Sequence, residues 1–119
     1  MSWDGDDAGE EEAPDPEQIA RLINRLDGRT RTLVMLHRAG SVLAVGGSQT
    51  GMVVYIEDSG GRFWQLRSAD VSDELVQMVA GGQPGEYAAR FVTSRADAIR
   101  AATEFAATGE RAPLGWEQT

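Results

Sequence analysis

Between residues 30 and 68 the chain spells out two successive hairpins, and this stretch limits the fold more than any other. "TRTLVMLHR" (30–38) and "SVLAVGG" (41–47) flank Ala39-Gly40, while "MVVYIED" (52–58) and "RFWQLRS" (62–68) flank Ser59-Gly60-Gly61. The β-branched and aromatic residues Val53, Val54, Tyr55, Ile56, Phe63 and Trp64 suit a pleated surface, and the glycines tolerate the positive φ of hairpin loops. Four such segments in series predict an antiparallel meander.

Helices close the stretch at both ends. Asp15 stands as N-cap before Pro16, with Glu17 in the positive first turn and Gln18 placed to close a capping box. Ile19, Leu22, Ile23 and Leu26 recur at i, i+3, i+4 and i+7, a single apolar stripe that Gly28 stops, with Arg21 and Arg25 on solvated faces. Toward the other terminus Ser94 caps "RADAIRAATEFAATG", Asp97 sits at N3 and Gly109 terminates, which turns Ile99, Ala102, Phe105 and Ala106 to the sheet. "DVSDELVQMVAGG" (70–82) carries a helix-start signal at Ser72 to Glu74 and reads as a short helix, although Leu75, Val76, Met78 and Val79 fit a buried strand equally. "EYAARFVTS" (86–94) reads as a fifth strand, and the tail around Trp116 is expected to pack down. The predicted fold is α+β: an antiparallel sheet of about five strands with an N-terminal and a C-terminal helix packed on one face.

Charge divides the chain. The formal net charge is −8, and the acids Asp4, Asp6, Asp7, Glu10, Glu11, Glu12, Asp15 and Glu17 account for all of it before the first arginine. Such a run repels itself and has little to bury, so residues 1–14 are expected to form a flexible acidic arm ahead of a single domain at 15–119. No basic stripe is available for direct contact with nucleic acid. No apolar run is long enough to span a membrane, and the acidic start is unlike a signal peptide, so a soluble cytoplasmic protein is expected. There is no cysteine and only one histidine, His37, which removes disulfides, thiolate chemistry and multi-histidine metal sites; no metal or cofactor is expected.

Several motifs compete for a function. Gly81-Gly82-Gln83 is the triplet found at the catalytic tip of factors that release peptides from the ribosome, which would make Gln83 part of a hydrolase. Those factors dock on phosphates through basic surface, which this chain lacks, so a turn or interface loop is the better reading. "VGGSQTG" (45–51) is glycine-rich like a phosphate loop but lacks the Lys-Ser/Thr ending and leads into a strand. His37 is a lone imidazole beside Arg38. Asp4-Gly5-Asp6-Asp7 offers hard oxygens without the spacing of a calcium loop. Trp3 inside the acidic arm either anchors a basic partner or folds back on its own domain.

A strand ending in "LAVGG", a hairpin leading to "FWQL", then "VAGGQPGEYAARFV", the helix "SRADAIRAATEFAATGE" and a terminal "GWEQ" follow one another across residues 31–118. In that order and spacing they resemble the Imm1 family of bacterial immunity proteins. The resemblance implies a non-enzymatic antitoxin that binds and inhibits a cognate toxin one-to-one, commonly a nucleic-acid (cytidine) deaminase whose active-site or substrate cleft it blocks. The toxin-binding residues expected on this reading are Trp3, Asp4, Asp6, Asp7, Gly47, Ser48, Gln49, Gln83, Glu86, Trp116 and Glu117, with Gly82-Gln83 a structural or interface motif. Two other readings stand beside it: an acidic interaction module that mimics nucleic acid, and a small hydrolase using Gln83 or His37.

Overall fold

Each helix begins where a side chain takes up otherwise unpaired amides. The Asp15 carboxylate accepts from Gln18 N at 2.8 Å and opens α1 (Pro16–Asn24), and the Ser94 hydroxyl accepts from Asp97 N at 3.1 Å and opens α2 (Arg95–Thr108). The first helix ends four residues before Gly28. Past it, the Asp27 carboxylate gathers the amides of Arg29, Thr30 and Arg31 at 2.8–3.0 Å and turns the chain toward the sheet. Gly109, at φ +76°, ends the second helix in the left-handed conformation.

The computed structural model describes residues 1–48, 50–68 and 74–119. Among these, the strands are β1 (Ser2–Trp3), β2 (Gly9–Glu10), β3 (Leu33–Arg38), β4 (Ser41–Ser48), β5 (Gly51–Glu57), β6 (Phe63–Leu66), β7 (Leu75–Ala80), β8 (Gln83–Ala88) and β9 (Trp116–Gln118). The expected meander is present as β3 to β6, antiparallel throughout, with Val34 opposite Val45 and Val45 opposite Val54. It forms the middle of a seven-stranded sheet ordered β2-β1-β3-β4-β5-β6-β9, while β7 and β8 pair as a separate hairpin.

Alternation along these strands sends Val34, Leu36, Leu43, Val45, Val54 and Ile56 to one face. There they join Ile19, Leu22, Ile23 and Leu26 of α1 and Ala98, Ala101, Ala102 and Phe105 of α2 in one core. The alanines let α2 lie close on β3, β4 and β5, and α1 packs beside α2. Ile99 and Ala106 are half-buried at the margin of that contact.

Three sequence expectations change. The sheet has seven strands, not five: the four of the meander gain Ser2–Trp3, Gly9–Glu10 and Trp116–Gln118 at its edges, while the fifth expected strand belongs to the separate hairpin. Of the segment read as a helix at 70–82, residues 70–73 lie outside the described residues, and Leu75–Ala80 is strand β7. Its apolar residues pair back on β8 through Gly81 and Gly82, both at positive φ (+61° and +75°), so Ala80 meets Gln83 across a two-residue turn. The strand expected at 86–94 is β8, shifted to Gln83–Ala88; the chain then makes a 3-10 turn at Ala89–Phe91, and Thr93 alone rejoins the sheet opposite Met52.

Candidate functional site

Residues of the acidic N-terminal segment are tied to the fold by specific donors. Asp4 accepts from Thr32 N at 2.7 Å and Leu33 N at 3.0 Å, and the Thr32 hydroxyl also donates to its carboxylate. That same hydroxyl accepts from Gly82 N at 2.8 Å, so one buried threonine links the N-terminal segment to the Gly81-Gly82 turn. Asp7 pairs with Arg25 at 2.5 Å and Arg31 at 3.3 Å, so Arg25 is exposed yet partnered. The Trp3 ring lies over Gly9 and its indole N–H donates to Asp7 O at 2.7 Å. The ring is half-buried and packs against the core.

The Gly81-Gly82-Gln83 triplet is the turn of the β7–β8 hairpin, with Gln83 exposed at the start of β8. The hairpin crosses β4 where the sheet has no side chains in the way. A Cβ at Gly46 would run into the Ala80 Cβ, and one at Gly47, where φ is +128°, would run into Gly51 O. "VGGS" is thus a crossing point for a second layer. Ser48 and Glu86 meet across a cleft of about 530 Å³ that Asp27, Gln77 and Pro84 also line. The Arg31 amide, followed by that of Arg29, holds the Asp27 carboxyl far below the usual carboxylate range, so Asp27 stays ionised at neutral pH. Gln49 lies outside the described residues.

Trp116 and Glu117 stand on β9, the far edge strand. The Trp116 indole N–H donates to Ala112 O at 3.0 Å, and Glu117 pairs with Arg90 at 3.5 Å. Five strand spacings separate β1 from β9, about 24 Å at the usual spacing. The ten described residues among those singled out from the sequence therefore fall into separate groups: Trp3, Asp4, Asp6 and Asp7 at one edge, Gly47, Ser48, Gln83 and Glu86 about the hairpin, Trp116 and Glu117 at the other edge. Register also places Trp3 and Trp116 on the helix-covered face, in line with Val34 and Leu66.

What sequence reasoning missed is the sheet face away from the helices. Ladder pairing sets Glu10, Ser2, Met35, Ala44, Tyr55, Gln65 and Glu117 in one continuous row across all seven strands. A second row holds His37, Val42, Glu57 and Phe63. The hairpin crosses the Gly46–Gly47 end of this face; Ala44 in the first row is itself buried, while Tyr55 is left 38% and Phe63 43% exposed. The signal was present in the sequence. β5 carries apolar residues at both parities, Val54 and Ile56 inward but Val53 and Tyr55 outward, and a strand apolar on both sides calls for cover on both.

Among the described residues no group of three His, Asp or Glu side chains converges to hold a metal, and His37 sits exposed on β3. No helix of the described chain is long and apolar enough to cross a membrane. Fold and surfaces together define an α+β domain, a helix-backed antiparallel sheet whose outer face carries exposed aromatic side chains. The chain belongs to the Imm1 family: a family model described as "Immunity protein Imm1" matches residues 7–114. Membership gives it an immunity role and implies a cognate toxin as its partner. Among curated proteins nothing matches the chain.

Proposed function

We propose that this protein is a cytoplasmic antitoxin that holds a cognate bacterial toxin in a one-to-one complex and covers its substrate cleft, and that the toxin is a nucleic-acid deaminase acting on cytidine. The observation that carries the reading is the family match over residues 7–114. Charge supports its finer part. An enzyme that flips and deaminates a base must attract a polyanion, so its cleft is cationic, and a chain of net charge −8 competes for that surface. Ser48, Gln83 and Glu86 at the hairpin, with Asp6 and Asp7 at the sheet edge, are proposed contacts. Glu117, in the outward row at the opposite edge, is a further proposed contact, and Trp3, Asp4, Gly47 and Trp116 hold the elements that carry the surface.

The test is titration of the product of the adjacent reading frame with this protein while cytidine deamination in a single-stranded oligonucleotide is followed. The reading requires activity to fall to zero at one equivalent, and cells expressing the toxin to survive when this chain is co-expressed. A tight complex that leaves deamination intact removes the cleft-covering part. A partner with a different activity removes the deaminase.

A further inference from the structure

We infer that the toxin docks on the open half of the outer sheet face, with Tyr55 and Phe63 as its buried anchors and Glu57 as the charge that selects a cationic partner. The inference rests on the antitoxin reading and names the surface that performs it. It extends the hairpin and edge contacts proposed above onto the sheet face.

Three observations carry it. First, Tyr55 and Phe63 are diagonal neighbours on adjacent strands, since Tyr55 pairs with Gln65 and Glu57 with Phe63. Both stand more than a third exposed, on a rigid ladder whose reverse side is the fully buried core of Leu43, Val54 and Ile56. Aromatic rings held by a scaffold lose little conformational freedom on binding, and rings of this kind dominate interface energies.

Second, the face is only half covered. The β7–β8 hairpin covers the Gly46 end, and Val53, in register with Gly46, is only 4% exposed. Tyr55, two residues along the same strand and face, is left open. A sheet face with partial internal cover and exposed aromatics beyond it has the character of a binding surface.

Third, charge selects the occupant. Glu57 stands between Val42 and Phe63 in the same row, and Glu10 ends the row that contains Met35 and Tyr55. A second copy seated face to face would bring these carboxylates near their own images, on chains that each carry −8. A partner with arginine or lysine around an apolar centre meets the rings and Glu57, with Glu10 at the rim to steer its approach.

The experiment uses the full chain and the product of the adjacent reading frame, with binding measured by calorimetry and surface-capture kinetics. Y55A/F63A is expected to weaken the complex about 100-fold, mostly through faster dissociation. E57Q is expected to slow association at low salt and to match the wild type at high salt. R100Q, on the exposed back of α2, is the control. Because both rings are on the surface, Y55A/F63A is expected to keep its circular dichroism and melting cooperativity. Should it lose them, nitration of Tyr55 in the wild-type complex decides: protection supports the inference, and modification as fast as in the free chain overturns it. Affinity within about threefold of wild type for a folded Y55A/F63A also overturns it, while the antitoxin reading survives. Failure of the wild-type chain to bind removes both. Dimerisation of the isolated chain that Y55A/F63A abolishes makes the occupant a second copy and overturns it.

Discussion

Removing the Asp4 carboxylate leaves the amides of Thr32 and Leu33 and the Thr32 hydroxyl without their acceptor. Hydrogen bonds to a charged group are the strong ones, so Asp4→Ala is expected to cost about 2–3 kcal/mol in urea unfolding. Asp6→Ala, at an exposed position two residues on, is expected to change stability by less than about 0.5 kcal/mol. Equal effects from the two would show that Asp4 acts only as one more negative charge. A second residue-scale prediction concerns acid. The Arg31 amide, then that of Arg29, depresses the Asp27 pKa; the Arg62 amide, then the Trp64 indole N–H, depresses that of Asp58. With folded values below the unfolded one, the unfolded chain binds more protons near pH 4, so stability rises with pH there. Their contribution is complete above the unfolded value of about 3.9 and is lost as pH falls below it toward the folded values. The urea midpoint of D27N/D58N is expected to depend less on pH over that range than that of the wild type; parallel curves would reject this.

Elements differ in how openly the sequence declares them, and the differences have physical causes. The helices and the β3–β6 meander were legible because their signals are local: a capping side chain, an apolar stripe, a glycine turn between β-branched runs. β7 was not, since Leu75, Val76, Met78 and Val79 satisfy both periods and the choice is made by the turn that follows, where Gly81 and Gly82 send the chain back on itself. Strands of two or three residues such as β1, β2 and β9 have no period to read. Their pairing is set by distant partners, Thr32 for Asp4 and Arg67 N for Gly115 O. The candidate surface was half declared: apolar residues at both parities of β5 mark it, but Glu10 and Glu117 join one row only after seven strands are ordered. The crossing of β7 over β4 yields an element-scale prediction. Gly46→Ala sets a methyl against Ala80 and is expected to destabilise the fold by about 1–3 kcal/mol, with amide exchange fastest in the β7–β8 hairpin. Gln83→Ala, at the exposed end of the turn, is expected to be neutral in the same assays. Exchange that rises uniformly through the sheet in Gly46→Ala would mean that the hairpin is no separate layer.

At the scale of the whole molecule the question is what the charge of −8 does once the chain is folded. Some of the acids are already committed: Asp4 to Thr32 and Leu33, Asp7 to Arg25 and Arg31, Asp15 to the start of α1. Glu10, Glu11 and Glu12 are exposed and line a groove of about 660 Å³ beside His37 and Arg38, at the edge of the outer face. Exposed pairs of this kind add about 0–1 kcal/mol each to a complex, too little to hold it, but their summed field acts over about 10 Å and raises the rate of encounter. The triple variant E10Q/E11Q/E12Q is therefore expected to associate with the toxin several-fold more slowly at low salt, to converge with the wild type at high salt, and to dissociate at the wild-type rate. Stopped-flow measurement across a salt series separates these terms. An unchanged association rate with faster dissociation would put the three glutamates inside the contact itself. The docked surface would then extend from the β5–β6 rings to the edge of the sheet at β2, and the N-terminal segment would be part of the interface and not a guide to it.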